Sequence, residues 1–204
     1  MKKVLFATNN PAKIKRFKDA LQAHDIDLIS IKDLDEEDKV KLNEDGKNAI
    51  ENAYKKAKPY YDKLKIPTIA MDDNLYLDGV PDEIQPGTHV RRVGGKELTD
   101  EEMITYYTGL VEKDGKEYDG EKRLYATWKY GLVILDDNDE RYDYEWEWSR
   151  FYYVSKKNPD YEKGYPLGAI SKYIKNDEYY KYENKSSNET RGEVEFVISK
   201  LGKK

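Results

Sequence analysis

Residues 66–75 read Ile66-Pro67-Thr68-Ile69-Ala70-Met71-Asp72-Asp73-Asn74-Leu75, an apolar, β-branched run that passes directly into a pair of acids. The run over 66–70 predicts a buried strand. Carboxylates at the carboxyl end of a sheet strand stand where α/β folds place their chemistry. A related junction lies near residue 8. Val4–Ala7 is a short apolar strand, Thr8-Asn9-Asn10 a polar turn, and Pro11 suits the first helical position after an Asn10 cap. Ile14, Phe17 and Leu21 then recur at helical spacing, which predicts a helix reaching about His24. Strand, turn and helix N-terminus together present backbone N–H groups to an anion, and Lys13 adds charge in the first turn. An ordinary capped helix has the same pattern, so the turn alone does not decide for phosphate.

Between these junctions the sequence predicts a strand at Leu28–Ile31, an acidic loop at Asp33–Asp38, and a helix from about Asp45 to Leu64 that Pro59 should kink or divide. Beyond them, Asp78–Gly95 is rich in turn dipeptides. Thr99-Asp100-Glu101-Glu102 is a capping box for a helix carrying Met103, Tyr106, Tyr107 and Leu110. Strands follow at 124–135 and 141–148, joined by Asp136–Asp139, the second alternating Tyr142, Tyr144, Trp146 and Trp148 with charges. Glu193–Leu201 is a closing amphipathic helix. The pattern predicts a mixed α/β fold with a helix-flanked lobe, an antiparallel lobe and a cleft between them.

Composition limits the function. The chain has 204 residues, 36 Lys+Arg against 41 Asp+Glu, and a net charge of -5, without a basic block, so binding along a nucleic acid is excluded as an expectation. Absent cysteine removes disulfides, thiolate-bound zinc and thiol nucleophiles. His24 and His89 are far apart in sequence, so a metal would rest on carboxylates, which favours magnesium, with manganese as the alternative. His24 reads as a surface residue at a helix end, and His89 as a cleft candidate. The apolar run near the N-terminus is too short for a signal peptide, and no stretch is apolar enough to span a membrane; the expected location is cytoplasmic. Charged residues make up 38% of the chain and mean hydropathy is -0.99, yet 19 Tyr, 4 Phe and 3 Trp point to a packed core in which Tyr serves as filler.

The acids Glu44, Asp72 and Asp73 are candidates for a hard-cation site, against the alternative of helix-start acids and a solvated turn. Lys56, Arg91, Arg92, Lys185 and Arg191 are dispersed cations. Read in order, Thr8-Asn9-Asn10-Pro11-Ala12-Lys13, the 44–57 segment with Glu44-Asp45-Gly46 and Glu51-Asn52-Ala53, Ala70-Met71-Asp72-Asp73-Asn74-Leu75 and Pro86-Gly87-Thr88-His89-Val90-Arg91-Arg92 form a set. This set resembles the Ham1/inosine triphosphate pyrophosphatase family, strongly through about residue 110 and thinly after it, where Lys185 and Thr190-Arg191-Gly192 resemble the closing motif.

The resemblance implies one ITPase-like domain over 1–204, an elongated mixed-sheet (Ham1/Maf) α/β fold with two lobes around a central cleft. It also implies magnesium-dependent cleavage of (d)ITP or XTP to monophosphate and pyrophosphate. Thr8, Asn10 and Lys13 would hold the triphosphate with Lys56, and Asn9 and Arg92 are further substrate-site candidates; Asp73, at a substrate-site position where a hydroxyl normally faces phosphate, would either repel substrate or join the metal site. Glu44 and Asp72 would bind the metal, Asp72 would activate water, and Lys185 and Arg191 would close over base and phosphates. Tyr165 is a candidate to stack on the purine. The implied assembly is a homodimer. The departures are Met71 in place of an acid, Asp73 in place of a hydroxyl, Asn74 in place of glycine, Gly164-Tyr165-Pro166-Leu167 at the base-reading motif, and Thr190 in place of histidine. They motivate an alternative, a catalytically weak nucleotide receptor serving as the sensor subunit of an effector or defence complex.

Overall fold

The computed structural model describes residues 1–43, 45–147, 150–161, 165–180 and 192–202. Its elements are β1 (Lys2–Phe6), α1 (Pro11–Gln22), β2 (Ile26–Ser30), α2 (Ala49–Leu64), β3 (Thr68–Leu77), β4 (Arg92–Val93), β5 (Lys96–Glu97), α3 (Asp100–Asp114), β6 (Lys116–Tyr118), β7 (Glu121–Leu135), β8 (Arg141–Glu147), β9 (Phe151–Tyr153), β10 (Ser171–Tyr173) and α4 (Gly192–Leu201). The main sheet runs β10-β9-β7-β3-β1-β2, with β6 and β8 also pairing with β7. β1 is parallel to β2 from Lys2↔Ile26 to Phe6↔Ser30, and parallel to β3 at Leu5↔Thr68 and Phe6↔Ile69. β7 meets β6 and β9 antiparallel. This is the mixed α/β arrangement the sequence predicts.

The chain divides into two compact units, one of residues 1–73, 130–146 and 185–204, the other of 74–129 and 147–184. β3 and β7 each supply residues to both. In the first unit, alternate residues of the parallel strands serve two cores. Phe6, Ile69 and Met71 join Phe17 and Leu21 of α1 and Val194, Val197 and Leu201 of α4. Leu5, Ala7 and Ala70 join Ala53, Ala57, Tyr60 and Tyr61 of α2. The helices α1 and α2 therefore cover opposite faces. The second unit has its own core around Tyr107, Val111, Leu124, Tyr153 and Ile170. Tyr60, Tyr107, Tyr152 and Tyr153 are among the largest fully buried side chains, so tyrosine does fill the core.

Several boundaries differ from expectation. α2 starts at Ala49 rather than Asp45, because Asn48 takes the cap, its side chain accepting from Glu51 N at 2.9 Å. Pro59 neither divides nor ends α2, which continues to Leu64; buried Tyr60 and Tyr61 anchor the following turn. β2 ends at Ser30, so Ile31 leaves the predicted strand and opens a 3-10 turn, Ile31–Asp33; a second, Glu36–Asp38, lies in the acidic loop. β3 does not stop before the acids: it runs through Asp72 and Asp73 to Leu77, while β1 ends at Phe6. The capping box of α3 forms both expected bonds, Glu102 N to Thr99 Oγ1 at 3.3 Å and Thr99 N to Glu102 Oε2 at 2.8 Å. On β8, Tyr142, Tyr144 and Trp146 pack toward α4 while the intervening charges are exposed; Trp148 lies outside the described residues.

Candidate active site

Among the described residues, Thr8, Asn9, Asn10, Lys13, Lys56, Asp72 and Asp73 lie in the first unit, around the end of β1 and along β3 and the helices beside it. The chain leaves β1 through Ala7, whose N–H donates to Ile69 O at 2.8 Å, so the turn starts alongside β3. Thr8 Oγ1 accepts from Asn10 N at 3.2 Å, and Asn10 Oδ1 accepts from Lys13 N at 3.3 Å. Asn10 thus caps α1 as predicted, and Asn9 is exposed at the turn. Lys13 reaches β3, where its Nζ lies 2.5 Å from Asp73 Oδ1.

On the other face, Lys56 of α2 donates to Asp72 Oδ1 at 2.9 Å, with 13% of each side chain exposed. Two close approaches seat α2. A Cβ on Gly131 would lie 2.6 Å from Ile50 N and 2.7 Å from Ala49 C, so β7 meets the first turn of α2 backbone to backbone. A Cβ on Gly46 would lie 2.5 Å from Asn52 Oδ1, the atom that accepts Gly46 N–H at 2.7 Å. Buried Asn52 therefore ties the segment just after residue 44 to the helix that carries Lys56.

Successive strand residues point to opposite faces, and Asp72 and Asp73 do so, one to α2 and one to α1. The two acids hold two ion pairs from adjacent residues, Asp72 with Lys56 and Asp73 with Lys13. Burial works against the charged form of Asp73, but Lys13, with Lys56 and Arg16, outweighs it and holds the carboxyl below its usual value. Asn74 is buried, its Nδ2 donating to Tyr76 OH at 3.3 Å.

Arg16 is a residue the sequence reading missed. It lies one turn beyond Lys13 on α1, and its Nη2 contacts Met71 Sδ at 3.3 Å and Glu193 Oε1 at 3.5 Å. The available signal was its i, i+3 relation to Lys13, which puts both cations on one helix face.

The remaining site candidates lie elsewhere. Arg92 is exposed on β4, opposite Glu97 of β5, and Tyr165 is 36% exposed before the 3-10 turn Pro166–Ala169; both belong to the second unit. Arg91 is engaged by Asp100 at 2.9 Å. Gly87 pairs with Leu75 through N–H···O bonds of 2.9 and 3.0 Å, which fixes the Pro86-Gly87 segment to β3. His24 and His89 are exposed. Glu44, Lys185, Thr190 and Arg191 lie outside the described residues. Among the described residues no group of three or more His, Asp or Glu could hold a metal by itself, and no helix is long and apolar enough to cross a membrane.

The family model described as the Ham1 family matches residues 4–144, more than half of the chain. This chain belongs to the Ham1 family. Among Ham1 relatives it is 37% identical over 142 residues to the dITP/XTP pyrophosphatase of Leptospira interrogans serovar copenhageni, covering 69% of this chain and 66% of that one. It is 34% identical over 100 residues to the protein of the same name from Aquifex aeolicus, covering 47% and 46%. The matches thus span between about half and two thirds of those relatives.

Solved Ham1 structures extend the likeness of fold to nearly the whole chain. The Staphylococcus aureus Ham1 protein aligns with a TM-score of 0.69 at 21% identity, covering 95% of this chain and 89% of that one. A HAM1 protein from Coxiella burnetii aligns with 0.70 at 19% identity, covering 97% and 91%.

Proposed function

We propose that the chain is a divalent-metal-dependent pyrophosphatase that cleaves deaminated purine nucleoside triphosphates, dITP, ITP and XTP, to monophosphate and pyrophosphate. The carrying observation is that Lys13 and Lys56, from two different helices, reach adjacent acids of β3, Asp73 and Asp72, beside the Asn10-capped turn. Lys13, Lys56 and the start of α1 supply positive charge for phosphate oxygens. Asp72 supplies a largely buried carboxylate that can take a proton from water. The names of the relatives in Leptospira and Aquifex support the same substrate class.

Magnesium fits the donor chemistry. It commonly takes one or two carboxylates and fills its remaining positions with water and substrate phosphates. Asp72 is a hard oxygen donor of this kind, and Glu44 is assigned as the second from family resemblance. When bound, the metal would offset triphosphate charge and acidify water. Arg92, Lys185 and Arg191 are assigned to phosphate and base closure, Asn9 to the phosphate turn, and Tyr165 to stacking on the purine. The assigned assembly is a cytoplasmic homodimer of single-domain chains.

The test is pyrophosphate release from dITP, ITP, XTP and dGTP with magnesium. Turnover of the deaminated nucleotides in preference to dGTP is expected; no release from any of them overturns the reading. The receptor alternative is motivated by Met71, Asp73 and Asn74, which stand where the family carries an acid and a Ser-Gly pair. Tight dITP binding without turnover would select it.

A further inference from the structure

The acid at position 73 stands in a phosphate site, and its placement on β3 narrows what it can do. A carboxylate shared with Asp72 around one cation would require both side chains on one face. Instead Asp72 turns to Lys56 on α2 and Asp73 to Lys13 on α1, so each acid neutralises a separate lysine. The Lys13–Asp73 contact is short, at 2.5 Å, and partly shielded, with 17% and 32% of the side chains exposed. Arg16, one turn along α1, adds positive potential at Asp73 and is itself engaged by Glu193.

We propose that Asp73 is an internal competitor for the ammonium group of Lys13, which masks this cation in the resting site and reclaims it when phosphate leaves. The inference rests on the pyrophosphatase reading for its ligand class, a polyphosphate chain. Phosphate oxygens bind Lys13 only in the fraction of molecules whose pair is open, so the apparent dissociation constant equals the intrinsic one divided by that fraction. The open fraction enters the binding of triphosphate and of pyrophosphate alike. Asp73 therefore weakens retention of pyrophosphate. It acts through Lys13, as a positioning residue.

The experiment is calorimetric titration of the full chain with inorganic tripolyphosphate and with pyrophosphate, in magnesium. It compares wild type, Asp73→Asn, Asp73→Ser, Lys13→Met and the Lys13→Met/Asp73→Asn double variant, each first checked by its thermal unfolding curve. Both Asp73 variants should bind the two probes about tenfold tighter, and Asp73→Asn should change affinity less than about twofold when Lys13 is Met. In dITP hydrolysis the gain should fall on KM and on pyrophosphate inhibition rather than on kcat.

Equal or weaker binding by both Asp73 variants overturns the proposal. An undiminished gain in the Lys13→Met background also overturns it, because the effect would then be general repulsion. Absence of tripolyphosphate binding in every variant does the same. Absence of dITP turnover by the wild type with the expected tripolyphosphate pattern would instead refute the pyrophosphatase reading and leave the masking of Lys13 standing.

Discussion

Asp72 and Asp73 are identical in chemistry and adjacent in sequence, yet the strand assigns them different partners. Asp72 faces Lys56 with both side chains largely withdrawn from water, which leaves one carboxylate oxygen beyond the ion pair. In the proposed reaction that carboxylate takes the proton from water. Asp72→Asn keeps the size but removes the base, so dITP turnover should fall by about a thousandfold while nucleotide binding is retained. Rate and calorimetric affinity, measured on the same preparation, check this; an unimpaired rate contradicts the role given to Asp72. The identities of Lys13, Lys56 and Asp72 were readable from motif order. The pairing of Asp73 with Lys13 was not, because a linear motif does not say which helix covers which face of a strand.

The hairpin joining β7 to β8 shows how one side chain can hold an element. Asp136 is buried, and its Oδ1 accepts from Asn138 N at 2.8 Å and Glu140 N at 3.0 Å, while Tyr142 OH donates to Oδ2 at 3.3 Å. Burial opposes ionisation, but these backbone and side-chain donors outweigh it and hold the carboxyl below the usual aspartate value of 3.8. A depressed folded-state pKa contributes stability that is full above the unfolded value and is lost as pH falls through the folded one. Denaturant unfolding should therefore show an acid loss beginning below about pH 4 that is smaller in Asp136→Asn. At pH 7, Asp136→Ala should cost about 2 kcal/mol, since the turn N–H groups lose a charged acceptor. A pH profile unchanged by the Asn variant would remove Asp136 from this role. Elements with local signals were legible in this way: the 136–139 turn, the Thr99 capping box and the amphipathic α4. The start of α2 was misread because Asn48 outcompetes the acids before it as a cap, and its continuity past Pro59 depends on tertiary packing.

At the scale of the molecule, the described residues form three apolar cores in two compact units, and β3 and β7 supply residues to both units. The single-domain reading therefore predicts one calorimetric unfolding transition over 1–204, with calorimetric and van't Hoff enthalpies equal. Two resolved transitions would instead make the units separate domains. The fold class and the Ham1 membership were legible without coordinates, since strand–turn–helix junctions and ordered motifs are local features of the chain. Composition and charge also settled that any anionic ligand must be met by a few placed cations rather than by a basic surface. Tertiary structure alone decided that Asp72 and Asp73 serve different helices, that Arg16 meets Met71 and Glu193, and that Gly46 and Gly131 admit close neighbours. Those outcomes depend on strand pairing and on the packing of α1 and α2 against opposite sides of β3, and contacts between residues distant in sequence are fixed only when the sheet closes.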